Sequence, residues 1–371
     1  MRELLLHIGS HKTGTTTIQI GMAEHREALV QQGVDYLPHD GPPLLHRYLG
    51  PTTPWNVAEG GFCVTDPDGL ERVFSEAVCD KAIASSENFS FFFERDAIEQ
   101  VKKLAARHFD KTRILVYLRR QDSHIVSHHQ EGSKHNRRAE EQIFGYSTSS
   151  IPWDSLYLDK YLDYNKRIGM WMDVFGEENV TVRVFDRETL KNGDVWADFL
   201  DVTGIASDGI ETAREQNVSQ GLTKTKVGHL MNEAHIHPEL HSFILRFLPD
   251  DARQVPARAD AIRFYERYTE SNKALANRMG IGGDLFDQSF SRYPEVAAEN
   301  WNNESADLAI ASLLRAMSVL CGPLDADTLR DAAFVARKDG RKEIARKLAE
   351  GAAHLRPHGP AIQKLLSELK S

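Results

Sequence analysis

A chain of 371 residues with 41% hydrophobic and 27% charged residues can build a sizeable core and does not have a disordered composition. Its formal net charge of −9 argues against general nucleic-acid binding, while leaving room for a local basic cleft around an anionic ligand. Cys63, Cys79 and Cys321 are too few and too far apart for a disulfide framework or a zinc site, and they suit a reducing compartment. The apolar stretches are too short for a membrane span, and Met1-Arg2-Glu3 leads straight into a strand-like segment without a signal peptide, so a cytoplasmic location is expected.

In chain order, Glu3 to Gly9 is a short apolar run ending in glycine, which predicts a buried strand entering a loop. From Thr15 to about Gln32, residues Ile18, Met22, Leu29 and Val30 recur at helical spacing, and Gly33 suits the stop. Pro38 to Gly61 is rich in proline and glycine, with Tyr48 and Trp55 among them, and predicts a surface loop or part of a pocket wall. Further strands are expected at Lys81–Ser85, Arg113–Leu118 and Val180–Phe185, with helical patterns between or after them. That alternation predicts an α/β fold, a central parallel sheet flanked by helices, with ligands outside the carboxyl ends of the strands. Beyond Thr223 the pattern is almost entirely helical. Cys321-Gly322-Pro323 divides a main domain, 1–322, from a helical C-terminal extension, 323–371, in which Ala336 to Leu369 resembles one tetratricopeptide-like helix pair bent at Pro357 and Pro360.

The segment Gly9-Ser10-His11-Lys12-Thr13-Gly14-Thr15-Thr16 stands between the first strand and its helix. Two glycines five positions apart let the backbone wrap an anion, and the amides entering the helix face it with the favourable dipole sign. A Walker A loop would carry lysine where Thr15 stands; here the lysine has moved inside the loop as Lys12, so transfer of phosphate from ATP loses its central cation. The plainer alternative is a surface turn. Lys12-Thr13-Gly14-Thr15-Thr16 resembles the 5′-phosphosulfate loop of the P-loop-like sulfotransferases, which use 3′-phosphoadenosine-5′-phosphosulfate (PAPS), and other stretches are similar to bacterial members: Val182 to Arg187, Val195 to Leu200, Asn217-Val218-Ser219 and Tyr265 to Phe286. By that resemblance Lys12 stabilises charge on the oxygen left behind, Thr15 and Thr16 bond the 5′-phosphate, and Thr13 and Gly14 complete the loop. The tryptophan that follows the loop in the cytosolic branch is replaced by Thr17, and its late Arg-Lys-Gly segment is missing, which leaves the adenine contacts unassigned.

PAPS also needs a place for its 3′-phosphate. Arg119, at the end of a strand, and Ser127, eight positions on in the next helix, resemble the family's 3′-phosphate motif; Arg120 is one position short, and a solvated arginine pair is the alternative. Ser85-Ser86-Glu87-Asn88 follows a strand between the two motifs, and Glu87 is the candidate base, resembling the glutamate of the glycan- and tyrosine-modifying branches; a helix cap or ion-pair partner is the alternative. His124, His128 and His129, and His235, His237 and His241, lack recognised ligand spacing and are expected to be packed or solvated, so no metal site is assigned. Lys134, Arg137 and Arg138 form a basic patch, read as a solvated loop or an attraction for an anionic acceptor. The residues and the resemblance together imply metal-independent sulfuryl transfer from PAPS to a hydroxyl of a small molecule or glycan. The rivals are a P-loop kinase and a non-catalytic nucleotide-binding or scaffold protein. Oligomeric state is not legible.

Overall fold

The computed structural model describes residues 1–39, 44–52, 61–134, 147–151, 156–210, 220–321 and 324–370. Its strands are β1 (Glu3–His7), β2 (Val34–Leu37), β3 (Leu49–Pro51), β4 (Phe62–Val64), β5 (Lys81–Ser85), β6 (Lys111–Leu118) and β7 (Val180–Val184). Five of them form one parallel sheet in the order β2-β5-β1-β6-β7, while β3 and β4 pair antiparallel apart from it. The first helices are α1 (Thr15–Glu24), α2 (Arg26–Gln31), α3 (Pro67–Ser75), α4 (Arg95–Ala105) and α5 (Gln121–Gly132). They are followed by α6 (Leu156–Leu162), α7 (Tyr164–Phe175), α8 (Val195–Thr203), α9 (Leu222–Glu233), α10 (Pro238–Leu245), α11 (Arg258–Glu266) and α12 (Thr269–Arg278).

Strand periodicity explains the layers. Leu4 and Leu6 of β1, with Ala82, Ala84, Ile114 and Val116, pack with Ile98 and Val101 of α4 and Ile168 and Trp171 of α7. Leu5, Ile83, Leu115 and Tyr117 point to the opposite face, among Ile18 and Met22 of α1 and Trp196 and Phe199 of α8. Burial on both faces is what a parallel sheet requires, and the expected α/β architecture, a central parallel sheet flanked by helices, is the one found.

The predicted helix from Thr15 to Gln32 is instead two helices that break at His25. The sequence pattern gives no sign of strand β2, nor of the antiparallel pair of β3, within the Pro38–Gly61 region, and β4, just after it; of that region 40–43 and 53–60 lie outside the described residues.

Register places the site. His7 is level with Ser85 and with Leu115, so the loops after β1, β5 and β6 leave the sheet on one edge. The loop after β1 stays laced to β6: Ile8 N donates to Leu115 O at 3.0 Å, Tyr117 N to Gly9 O at 3.0 Å and Ser10 N to Tyr117 O at 3.2 Å.

The chain divides into two compact units, Met1–Leu245 with Asp250–Asn302, and Arg246–Pro249 with Asn303–Ser371. The second contains α13 (Asn303–Cys321), α14 (Ala326–Lys338), α15 (Lys342–Leu355) and α16 (Pro360–Lys370). Alanines Ala326, Ala333, Ala349 and Ala352 pack there with Ile362 and Leu365. Small side chains of this kind let helices approach closely. Pro357 and Pro360 stand at the bend between α15 and α16; Pro323, the expected boundary, lies outside the described residues.

Candidate functional site

The loop from Ile8 to Gly14 is shaped by backbone conformations that few residues accept. Gly9 has φ +84°, and a Cβ there would stand 2.9 Å from Glu87 Cα, so the glycine lets the β5 loop lie against the β1 loop. Gly14, with φ +78°, is the N-cap of α1, and a Cβ would meet Val195 at 2.7 Å. Lys12 has φ 59°, a left-handed conformation that an L side chain adopts at a cost and that concentrates at ligand-binding turns.

No side chain caps α1 and no acidic residue sits in its first turn. Its first backbone bond runs from Ile18 N to Gly14 O. The amides of Thr15, Thr16 and Thr17 therefore have no helical acceptor, an arrangement that can hold an anion. Thr13 is buried, and its hydroxyl donates to Ser10 O at 2.6 Å; its proton is committed to the loop, and its amide is what it offers a ligand. Thr15 is buried and Thr16 exposed, with no hydroxyl bond to a described residue. Lys12 Nζ pairs with Glu131 at 3.1 Å, and Glu131 also takes Lys134 at 2.7 Å. Burial pulls the Lys12 ammonium below the ordinary lysine range, while Glu131 pushes the other way.

Arg119 and Arg120 follow β6 and have different work. Arg120 is spent on the protein: it holds the Asp122 carboxylate through two bonds of 2.7 and 3.0 Å, donates to the carbonyls of Asp287 and Ser289 at 2.6 Å each, and lies 4.0 Å over the Phe290 ring. Tyr293 OH adds a bond to Asp122 at 2.7 Å. These contacts pin the segment after α12 to the start of α5.

Arg119 has no carboxylate partner among the described residues. Its Nε donates to Ser123 Oγ at 2.8 Å and its NH1 to Lys12 O at 3.4 Å, so one guanidinium touches the loop between β1 and α1 and leaves part of its fork unspent. Arg292, brought in by the pinned segment, donates to the same Ser123 Oγ at 3.3 Å and pairs with Asp186 at 3.2 Å. Both arginines line a cavity of about 270 Å³ whose apolar wall includes Phe185, Leu285 and Phe286.

The hydroxyl beside Arg119 is thus Ser123. Ser127 lies one turn further along α5, half-buried, and is not among the residues lining that cavity. Ser123 and Arg292 escaped the sequence reading. Ser123 carries no motif spacing of its own, and Arg292 is distant in sequence and stands in no motif.

Glu87 opens a 3₁₀ turn, Glu87–Phe91, whose cap is Ser86. The Glu87 carboxylate accepts from Gln19 Nε2 at 3.0 Å, and the same amide donates to Ser85 Oγ at 3.2 Å. Ser85 Oγ in turn bonds His7 Nδ1 at 2.8 Å. Burial lowers the His7 pKa to about 3, so this line from His7 to Glu87 runs through neutral groups. Gln19, 2% exposed on the inner face of α1, holds the carboxylate without neutralising it.

His124 and His128 are packed, stacked at 5.9 Å with His11 beyond them at 5.0 Å, and His129 stacks on His229 at 4.1 Å. In the basic patch, Lys134 is paired with Glu131; Arg137 and Arg138 lie outside the described residues, as do Asn217, Val218 and Ser219. No helix among the described residues is long and apolar enough to cross a membrane.

No protein-family model matches the sequence. A stretch of 173 residues is 28% identical to an uncharacterized protein of Archaeoglobus fulgidus, covering 44% of this chain and 45% of that protein. The chain thus spans less than half the length of that relative. Among solved structures it is similar to a sulfotransferase from Alicyclobacillus acidocaldarius, with a TM-score of 0.41 and 17% identity over 77% of this chain and 98% of that one.

Proposed function

We propose that this chain is a sulfotransferase that moves a sulfuryl group from PAPS to a hydroxyl of a small molecule or glycan. The observation that carries this reading is Arg119, which lines the Arg292 cavity and also touches the loop of unpaired amides at α1. Two adjoining anion sites on one sheet edge suit a nucleotide with phosphate groups on both its 5′ and 3′ sides, and ATP has no use for the second.

In this scheme the amides from Gly14 to Thr17 and the hydroxyls of Thr15 and Thr16 hold the 5′-phosphate. Arg119 and Arg292 take the 3′-phosphate, with Ser123 and Ser127 as hydroxyl donors. Phe185, Leu285 and Phe286 offer the purine an apolar wall. The acceptor oxygen forms a bond to sulfur as the bond from sulfur to the 5′-phosphate oxygen breaks. Glu87 accepts the hydroxyl proton, and Lys12 leaves Glu131 to stabilise the charge on the departing oxygen. No step calls on a metal.

A kinase would want its lysine at the start of α1, where Thr15 stands. The test is transfer of labelled sulfate from PAPS across a panel of alcohols and glycans, run beside labelled phosphate from ATP with magnesium. Sulfate label in the acceptor supports the reading. Phosphate label would reverse it, and tight nucleotide binding without any turnover would favour a sensing or scaffold role.

A further inference from the structure

The first unit holds a buried cation that the scheme above does not use. Arg167, on α7, is 1% exposed, and no carboxylate faces it among the described residues. Its NH2 donates to Ser10 Oγ at 2.8 Å and its NH1 to Ser90 O at 3.4 Å, while its Nε has no acceptor. The guanidinium lies 5.0 Å from the Tyr161 ring centroid and 5.2 Å from that of Tyr164. Every one of these neighbours is neutral. Beyond them stands His124, which burial keeps uncharged.

Arginine retains its proton even here. A buried charge without a counter-ion is unfavourable, and two aromatic faces offset only part of that cost. Two features say where the missing negative charge belongs. Ser10, the group that Arg167 bonds most closely, belongs to the loop that leads into the unpaired amides of α1. Ser90, the other, donates its hydroxyl to Glu87 O at 2.6 Å, so the same guanidinium ties the anion loop to the turn that carries Glu87.

We infer that Arg167 is a positioning residue whose uncompensated charge is completed by a phosphate or sulfate group seated in the loop from Ile8 to Gly14. The loop's affinity for an anion is then set partly from inside the core. This rests on the reading of that loop as an anion site.

The experiment compares the full chain with Arg167→Met and Arg167→Lys. It measures the urea midpoint without ligand, the rise of that midpoint with inorganic pyrophosphate, and the calorimetric affinity for pyrophosphate. Removing one unit charge from the core side of the loop should weaken pyrophosphate by about 10- to 50-fold in the Met variant and shrink its stabilisation of the fold, with the ligand-free midpoint little changed. The Lys variant should bind within about threefold of the parent.

Unchanged affinity in the Met variant would overturn the inference, as would a Lys variant that loses as much as Met. If the Met variant does not fold, Arg167→Gln, which keeps a donor for Ser10 without the charge, replaces it under the same criterion. Failure of the parent to bind both pyrophosphate and the desulfo product of PAPS would remove the anion site itself. A parent that binds while the variants bind equally well removes only the role of Arg167.

Discussion

Replacing Glu87 with Gln removes a proton acceptor and keeps nearly everything else. The Gln19 amide directs one hydrogen at Ser85 Oγ, 3.2 Å away, and the other at the Glu87 carboxylate, 3.0 Å away, so its orientation is fixed from both sides. A glutamine at 87 can still present its carbonyl oxygen to that amide, and the contact of the Glu87 backbone with Gly9 does not involve the carboxylate. Shape and donor binding should survive. What is lost is general-base assistance, about 10²–10⁴-fold in turnover, or roughly 3–5 kcal/mol of barrier. Gln19→Ala should lower turnover less, about tenfold, because the carboxylate remains but is held more loosely. The assay is steady-state sulfate transfer with two alcohols of different acidity, beside calorimetric binding of the desulfo product. The more acidic alcohol should suffer less in the Gln variant. Near-normal turnover of Glu87→Gln with the poorly acidic alcohol would refute the role, and His11, within the loop, would be the next base to test.

Lys12→Ala should lower turnover about 10²–10³-fold while moving desulfo-product affinity far less, since its charge is needed most as the leaving oxygen develops its own; equal losses would sink that role. Arg119→Ala should weaken 3′-phosphoadenosine-5′-phosphate by about 2–5 kcal/mol and barely affect adenosine 5′-phosphate; Arg292→Ala, from a more exposed position, should act in the same direction by about 1 kcal/mol. If both nucleotides weaken alike, these arginines are structural. Burial holds His7 and His229 to pKa values of about 3 and His129 to about 4, all below the unfolded value near 6.5. The unfolded chain therefore binds more protons as pH falls below 6.5, and each histidine should cost up to about 1.4 kcal/mol of stability per pH unit until its folded pKa is reached. Urea midpoints should drop between pH 7 and pH 5; a flat profile would mean these rings open to water more readily than their burial implies.

Elements with an unbroken apolar face were legible. Strand β1 reads as Leu4-Leu5-Leu6, and the glycine after it marks the loop. Strand β2 was hidden because its four residues include Asp35, which looks like a loop residue yet is fully buried, held by Arg26, His39 and the Val78 amide. The break at His25 was invisible because apolar residues recur at helical spacing on both sides of it. In the candidate site, Lys12, Arg119 and Glu87 stood out because each sits at or beside a strand end. Ser123, Arg292, Gln19 and Arg167 could not be picked out. Their meaning comes from contacts across the fold: Arg120 binding the segment that carries Arg292, and helices α1 and α7 turning a glutamine and an arginine inward.

The most direct measurement is calorimetric titration of the parent chain with 3′-phosphoadenosine-5′-phosphate, adenosine 5′-phosphate, and ATP with magnesium. Two anion sites joined through Arg119 require the first to bind at least about 30-fold more tightly than the second, the worth of one buried phosphate on an arginine fork, and more tightly than ATP. Equal affinity for the two adenosine phosphates, or preference for ATP with magnesium, would contradict the two-site account of the donor.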